Sequence, residues 1–328
     1  MSLLHTTYMG LKLKSPIIAG SSGMTKSIDN LIEAEKNGAG AVVLKSLFEE
    51  QLNNEMNVNL AQGHDDYAYP EAFDYISNFT KSSAVDEYLT LIEEAKKKLT
   101  IPVVASINCV SNTDWIEYAK KFETAGADAL ELNLFILPSD FTRTAEDIEK
   151  TYISIIENVL KHVKIPVAVK IGEYFTSLAK TVVTLSWTGV KGIVLFNRTY
   201  SPDIDINTMQ VTSTNVFSNP EEVAHPMRWI ALLSDKAHCD LAGSTGVHNG
   251  ESAVKLLLAG ASAVQVCSIL YKKKFAAIAE INSFIEDWMK KNNFSSIEDF
   301  KGKMSLKNIA NPAAYERVQF MKYFAGIE

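Results

Sequence analysis

The chain has 328 residues, 47% of them hydrophobic, enough for a large core, and an α/β barrel of typically about 250 residues plus insertions accounts for the length. The net charge of −7 argues against a nucleic-acid or anionic-membrane surface, because both partners need a basic face. Cys109, Cys239 and Cys267 are scattered, without CxxC spacing, which supports neither a disulfide framework nor a metal site and fits a reducing compartment. The N-terminal MSLLHTTYMGLKLKSP lacks the basic-then-apolar pattern of a signal peptide, and no later segment has the ~18 apolar residues of a membrane span, so a soluble cytoplasmic protein is expected.

In chain order the strand candidates are PIIAG at 16–20, AVVLK at 41–45, PVVASIN at 102–108 and DALELN at 128–133, then PVAVK at 166–170, GIVLFN at 192–197, CDLAG at 239–243 and AVQVC at 263–267. Between them run amphipathic helical patterns, from SIDNLIEAEKNG to NGESAVKLLLAG, with apolar residues three and four apart. Four units, GAGAVVLKS, GADALELN, GVKGIVLFN and GASAVQVCS, open on a glycine suited to the left-handed position that closes a helix. Eight buried strands alternating with helices predict a (β/α)8 TIM barrel with right-handed crossovers. Two stretches interrupt the repeat, about Glu49 to Ser83 after strand two and about Tyr200 to Asn219 after strand six. Both are expected at the C-terminal face, where such barrels do their chemistry. One more amphipathic helix, AAIAEINSFIEDWMKKN, follows the barrel. No linker separates a second domain.

The strand tips carry a coherent set of polar residues. Lys45 and Lys170 end strands two and five, where a buried ammonium needs a partner. That partner is a barrel carboxylate such as Glu131, or an electron-rich cofactor or carboxylate substrate; imine formation by Lys170 is a further use. Asn108, Asn133 and Asn197 offer donors and acceptors suited to a heterocycle edge, although each alone also reads as a turn residue. AGSTGV at 242–247, containing Ser244, Thr245 and Gly246, and Cys267 with Ser268 leave backbone N–H groups free for a phosphate, or simply pack tight turns. Neither GxGxxG nor GKS is present, against a dinucleotide fold or P-loop.

SPIIAGSSG, VVLKS, ASIN, ELNL, VAVK, LFN, AGSTGV and VQVCS, in this order from strand one to strand eight, resemble the class 1 dihydroorotate dehydrogenases along nearly the whole chain. The resemblance implies one FMN-binding barrel domain over residues 1–328. By position, Gly20 and Ser21 would lie by the flavin, Lys45 would reach flavin and substrate, Asn133 would serve either, and Lys170 would approach the N1–C2=O edge of the ring. Thr245, Gly246, Cys267 and Ser268 would hold the phosphate, with Ser46, Asn108, Asn197 and Ser244 completing the cofactor contacts. Substrate contacts would come from Lys45, Asn133, Asn197 and Arg198, whose planar fork suits a carboxylate, unless it is a solvated loop arginine.

The chain departs from that family on the substrate side. A Ser-Cys-Pro-Asn-type loop with a basic cysteine is expected after ELNL, yet the chain reads ELNLFILPSD, with Phe135 and Ile136 at the Ser and Cys positions. Isoleucine is no base, so Ser139 or Asp140, either one only in a re-registered loop, is the candidate base beside the catalytic candidates Lys45 and Asn133. The family's Asn-Ser-Met-Gly loop is replaced by HDDYAYPEAFDY, which offers Asp66, Tyr67 and Tyr69. SLFEEQ, LFNR and PDID mark a branch of dihydroorotate-dehydrogenase-like proteins. The expected activity is therefore an FMN oxidoreductase converting dihydroorotate to orotate in pyrimidine biosynthesis, as a homodimer with a soluble electron acceptor such as fumarate. The alternatives are an FMN barrel acting on another small substrate, a flavin-binding protein without turnover, and a Schiff-base lyase using Lys170.

Overall fold

In the computed structural model, residues 3–48, 70–108, 112–199 and 201–316 are described. The chain opens with a hairpin of β1 (Thr6–Tyr8) and β2 (Leu11–Leu13), then enters the barrel with β3 (Ile17–Ala19), α1 (Ile28–Lys36), β4 (Ala41–Val43) and a short β5 (Leu47–Phe48). It continues through α2 (Pro70–Lys98), β6 (Val103–Asn108), α3 (Asn112–Thr124), β7 (Ala129–Leu134), α4 (Ala145–Leu160), β8 (Val167–Ile171), α5 (Leu178–Ser186) and β9 (Gly192–Leu195). A second hairpin, β10 (Pro202–Asp205) with β11 (Gln210–Ser213), precedes α6 (Ala224–Leu233), β12 (Asp240–Gly243), α7 (Gly250–Ala259) and β13 (Ala263–Val266). The helices α8 (Ser268–Lys273), α9 (Ala276–Lys291) and α10 (Ala313–Glu316) complete it.

The sheet runs β4-β3-β13-β12-β9-β8-β7-β6, and pairing of β4 with β6 closes it. All of these pairs are parallel, and closure places Val42 opposite Val103 and Val43 opposite Val104. The eight strands are those expected from the sequence, and the barrel is the predicted TIM barrel. Gly38, Gly126, Gly189 and Gly260, which open the four repeated units, have φ of +88°, +97°, +105° and +119°. An L side chain is strained there, so glycine turns the chain from helix into strand.

Outward strand residues such as Ile17, Val42, Val103, Leu132, Val169 and Val264 pack under the helices in the main core. The interior is a separate cluster in which Ala41, Ala129, Ala168, Ala242 and Ala263 leave room that Tyr8, Met9 and Leu13 fill. The first hairpin is thus the floor of the barrel, a role the sequence reading did not assign to it. Its turn residue Met9, at φ +54°, donates its N–H to Asp240 Oδ2 at 2.8 Å. Asp240 Oδ1 accepts from Ser262 Oγ at 2.9 Å, so one carboxylate ties the floor to two strands.

The described parts of both insertions carry secondary structure of their own. Of the first, residues 49–69 lie outside the described residues, with Asp66, Tyr67 and Tyr69 among them. From Pro70 the backbone is already α2, because a proline suits a first helical turn. The second folds as the antiparallel hairpin β10–β11, with Ile204 opposite Val211. Among the described residues no helix is long and apolar enough to cross a membrane.

The Tyr8 hydroxyl is buried without a hydrogen-bond partner among the described residues. Burial, then the charges of Glu131 and Asp240, push this phenol well above its usual range. An unpaired buried hydroxyl costs about 1–3 kcal/mol. Tyr8→Phe is accordingly expected to unfold at an equal or higher urea midpoint than the wild type. Tyr8→Ala, which empties the floor, should lose about 3–5 kcal/mol in the same equilibrium measurement.

Candidate active site

Strand alternation stacks the inward side chains in levels. Ala129, Ala168 and Ala263 form part of the apolar base. Two residues further along the same strands stand Glu131, Lys170 and Gln265, exposed by only 1%, 5% and 1%. Lys170 Nζ donates to Gln265 Oε1 at 2.8 Å, and Gln265 Nε2 donates to Glu131 Oε2 at 2.5 Å. The carboxylate expected beside a barrel lysine is present, therefore, but an amide stands between the two. At the next level of β7, Asn133 Oδ1 accepts from Asn197 Nδ2 at 2.9 Å, which joins the tips of strands four and six.

The tips of strands one to three are linked by hydroxyls. Ser46 N–H donates to Ser21 Oγ at 2.9 Å, and Ser46 Oγ lies 2.7 Å from Ser106 Oγ. Tyr88 OH accepts from Ser106 N–H at 2.9 Å and donates to Ser106 O at 3.1 Å. Lys45 has no side-chain partner among the described residues, and its backbone N–H reaches Thr25 O at 3.3 Å. Asn108 ends β6 beside Phe48. Gly20 is required by crowding, since a Cβ there would come within 2.6 Å of Cys267 Sγ.

A cavity of about 300 Å³ brings together Ser21, Lys170, Asn197, Arg198, Ser244, Thr245, Gly246, Cys267 and Ser268 of the expected set. Gln265, Phe217, Ser218 and Tyr271 also line it; the sequence reading missed them, although Gln265 was visible as a lone polar residue within AVQV. At one end Thr245 and Gly246 have φ of +79° and +75°. For β-branched Thr245 this is a strained conformation of the kind that collects at ligand sites. A Cβ on Gly246 would lie 2.1 Å from Val223 N, so only glycine lets this loop approach α6. An adjoining cavity of about 340 Å³, which holds Tyr174, Glu173 and His225, shares Asn197, Arg198 and Thr245.

The segment after β11 crosses the first cavity. Ser218 N–H donates to Ser268 Oγ at 3.0 Å, and Ser218 Oγ lies 3.0 Å from His248 Nε2. Burial, then Lys272, lowers the His248 pKa from its usual value. Arg198 Nε donates to Glu222 Oε2 at 2.9 Å and its Nη1 to Val216 O at 2.9 Å. Its fork is thus engaged with the chain itself rather than held open for a carboxylate.

The loop after β7 brings no titratable side chain into this cavity. Ile136 packs against the main core, and its N–H donates to Tyr152 OH at 2.9 Å. Phe135 meets Tyr174 edge-on at 6.0 Å between centroids. Ser139 is exposed. Asp140 Oδ1 accepts from Thr142 Oγ1 and N–H at 2.6 and 2.9 Å, and these bonds hold its carboxyl below the usual range.

Cysteine chemistry follows from burial here. Burial pushes the Cys267 thiol up, opposed by Lys170 and reinforced by Glu131. Burial and then Asp240 push Cys239 up to about 12. The thiolate is the nucleophile, so both are expected to react with iodoacetamide more slowly than an unperturbed thiol. Site-resolved mass spectrometry should place the pH midpoints of both rates above about 8.5.

Comparison with known proteins covers most of the chain. The family model described as Dihydroorotate dehydrogenase matches residues 3–289. A Methanocaldococcus jannaschii protein named dihydroorotate dehydrogenase B (NAD(+)), catalytic subunit, is 26% identical over 309 residues, covering 92% of this chain and 97% of its own. The Thermoplasma acidophilum and Pyrococcus furiosus proteins of the same name are 24% and 26% identical, covering 92% and 89% of this chain and 99% and 96% of their own.

Proposed function

The chain belongs to the dihydroorotate dehydrogenase family, and on that premise we propose that it is an FMN-dependent oxidoreductase acting on CH–CH bonds, with dihydroorotate as its substrate by family name. The observation that carries this reading is the single cavity in which Lys170, Asn197 and Gln265 stand at the barrel axis and Ser244, Thr245, Gly246, Cys267 and Ser268 at the rim. That donor set fits FMN, with amides and an ammonium for a heterocycle rich in N–H and C=O and a glycine loop for a phosphate. FMN, when bound, supplies a hydride acceptor at N5. Lys170 is read as the fixed positive charge at the polar edge of the ring, where electron density develops. Asn197 lines the cavity and donates to Asn133 Oδ1, so this amide pair would meet ring and substrate, and Lys45, two residues past β4, would serve both as the family resemblance implies.

A second reading, the same cofactor with a different small substrate, is favoured by one feature. Ile136 is partly buried against the core, Ser139 is exposed and Asp140 is engaged by Thr142, so among the described residues the loop after β7 offers no base for C5 of dihydroorotate. Ser139 acts as base only if this loop closes over the ring. The imine alternative is disfavoured by the Lys170 amine donating to a carbonyl oxygen beside Glu131, an environment that suits an ammonium. Because the relatives are named catalytic subunits of an NAD(+) enzyme, the acceptor proposed is soluble and reached with a partner subunit.

The purified protein is expected to be yellow and to release FMN on denaturation; a colourless protein that binds no added FMN overturns the reading. Anaerobic mixing with dihydroorotate should bleach the flavin band. Bleaching by dithionite alone selects the different-substrate reading. Lys170→Ala should slow flavin reduction by about 100-fold or more. The homodimer is supported by Ile204, Ile206, Met209 and Val211, exposed by 67–86% on the β10–β11 hairpin, since apolar surface of this kind marks interfaces. Sedimentation should give twice 36.3 kDa for the wild type and a shift toward monomer for Ile204→Asp.

A further inference from the structure

We propose that Gln265 is a positioning residue: its amide bridges Glu131 and Lys170, so that the carboxylate serves the ammonium as a countercharge without contacting it and N–H groups of Lys170 are left for the cavity. The use of this cation toward a flavin rests on the reading above; the relay itself does not.

The orientation of the amide follows from its neighbours. An ammonium only donates and an ionised carboxylate only accepts, so Oε1 must face Lys170 and Nε2 must face Glu131, the arrangement observed. The reverse orientation would oppose donor to donor and acceptor to acceptor. Glu131 and Lys170 sit on the adjacent strands β7 and β8, yet no ion pair joins them among the described residues. Gln265 reaches them from β13, which is separated from β8 in the sheet by β9 and β12. Of the three Lys170 N–H groups, one goes to Gln265, and the others make no hydrogen bond among the described residues while Lys170 lines the cavity. Glu131 Oε1 is likewise buried without a partner.

A direct ion pair would occupy the ammonium, and removal of the carboxylate would leave a buried lysine that releases its proton. An amide between the two avoids both outcomes. It supplies the countercharge that burial demands and leaves the cation available. The other titratable groups facing the cluster are Tyr8 on β1, Tyr88 on α2 and Cys267 after β13, all raised chiefly by burial. They stay neutral through neutral pH.

The test measures acetylation of Lys170 by acetic anhydride against pH, resolved by mass spectrometry, on full-length protein without added flavin. Only the neutral amine reacts, so each unit by which the lysine pKa falls raises the rate about tenfold at a given pH. Gln265→Met, which keeps the volume and loses both hydrogen bonds, should acetylate about 10-fold or more faster at neutral pH. Glu131→Gln, which keeps an acceptor for Gln265 and loses the charge, should do the same. Wild-type rates in a correctly folded Glu131→Gln protein overturn the proposal, as does a wild-type lysine already reactive at neutral pH. If Gln265→Met does not fold, the Glu131→Gln comparison still decides.

With flavin bound, the midpoint potential against pH gives a second readout. The relay requires one proton taken up per electron pair in the wild type and two in either variant. An unchanged count in both variants overturns the relay. A wild-type protein that binds no flavin defeats the cofactor reading alone, and the acetylation profile still judges Gln265.

Discussion

Closure of the sheet is the constraint on which the molecule depends. Parallel strands leave no edge unsatisfied only if the sheet closes on itself, as it does here with the first barrel strand β3 on the last, β13, and with β4 on β6 over Val42–Val103 and Val43–Val104. A closed eight-stranded barrel has a narrow interior that side chains must fill. Here alanines from five strands set the lower level, and the N-terminal hairpin supplies the missing bulk. Asp240 anchors that hairpin through Met9 while also accepting from Ser262.

The same alternation that places alanine at the base brings Glu131, Lys170 and Gln265 one level higher and Asn133 above them. Charge in so dry an axis is tolerable only with a countercharge and hydrogen bonds. The Lys170–Gln265–Glu131 chain provides both across the barrel. The interior therefore changes character within a few residues, from apolar packing to a polar mouth, on strands too short to bend around it.

Above the mouth, the loops divide the work. On the side of β12 and β13, the φ-positive pair Thr245 and Gly246 shapes the rim, and the segment around Ser218 crosses it, held by Arg198, Ser268 and His248. On the side of β7, the loop is turned outward. The Thr144–Asp147 capping box starts α4, Tyr152 holds Ile136 by its backbone, and Asp140 closes on Thr142. The half of the mouth that the family resemblance describes best is thus the half built on glycine turns and strand ends, and the half that departs from it is built on these loop contacts.

The eight strands, their helices, the four glycine turns and most of the cavity residues were legible in the amino-acid sequence. Each depends on local properties: apolar runs, helical periodicity, glycine at helix ends and a polar residue at each strand tip. The floor hairpin was not legible, because TTYMGLKL carries no signal of what it covers until eight strands leave a hole of its shape. Nor was the hairpin in the second insertion, where exposed Ile204 and Val211 face each other without a core to announce them. Arg198 was legible as a cation beside the site, but not as one tied to Glu222 and Val216 O. Sequence alone determined which strand ends form the mouth, since strand period and order suffice for that. Tertiary structure decided which of them touch, because Lys170 meets Gln265 rather than adjacent Glu131 only when residues 95 positions apart converge across a closed barrel.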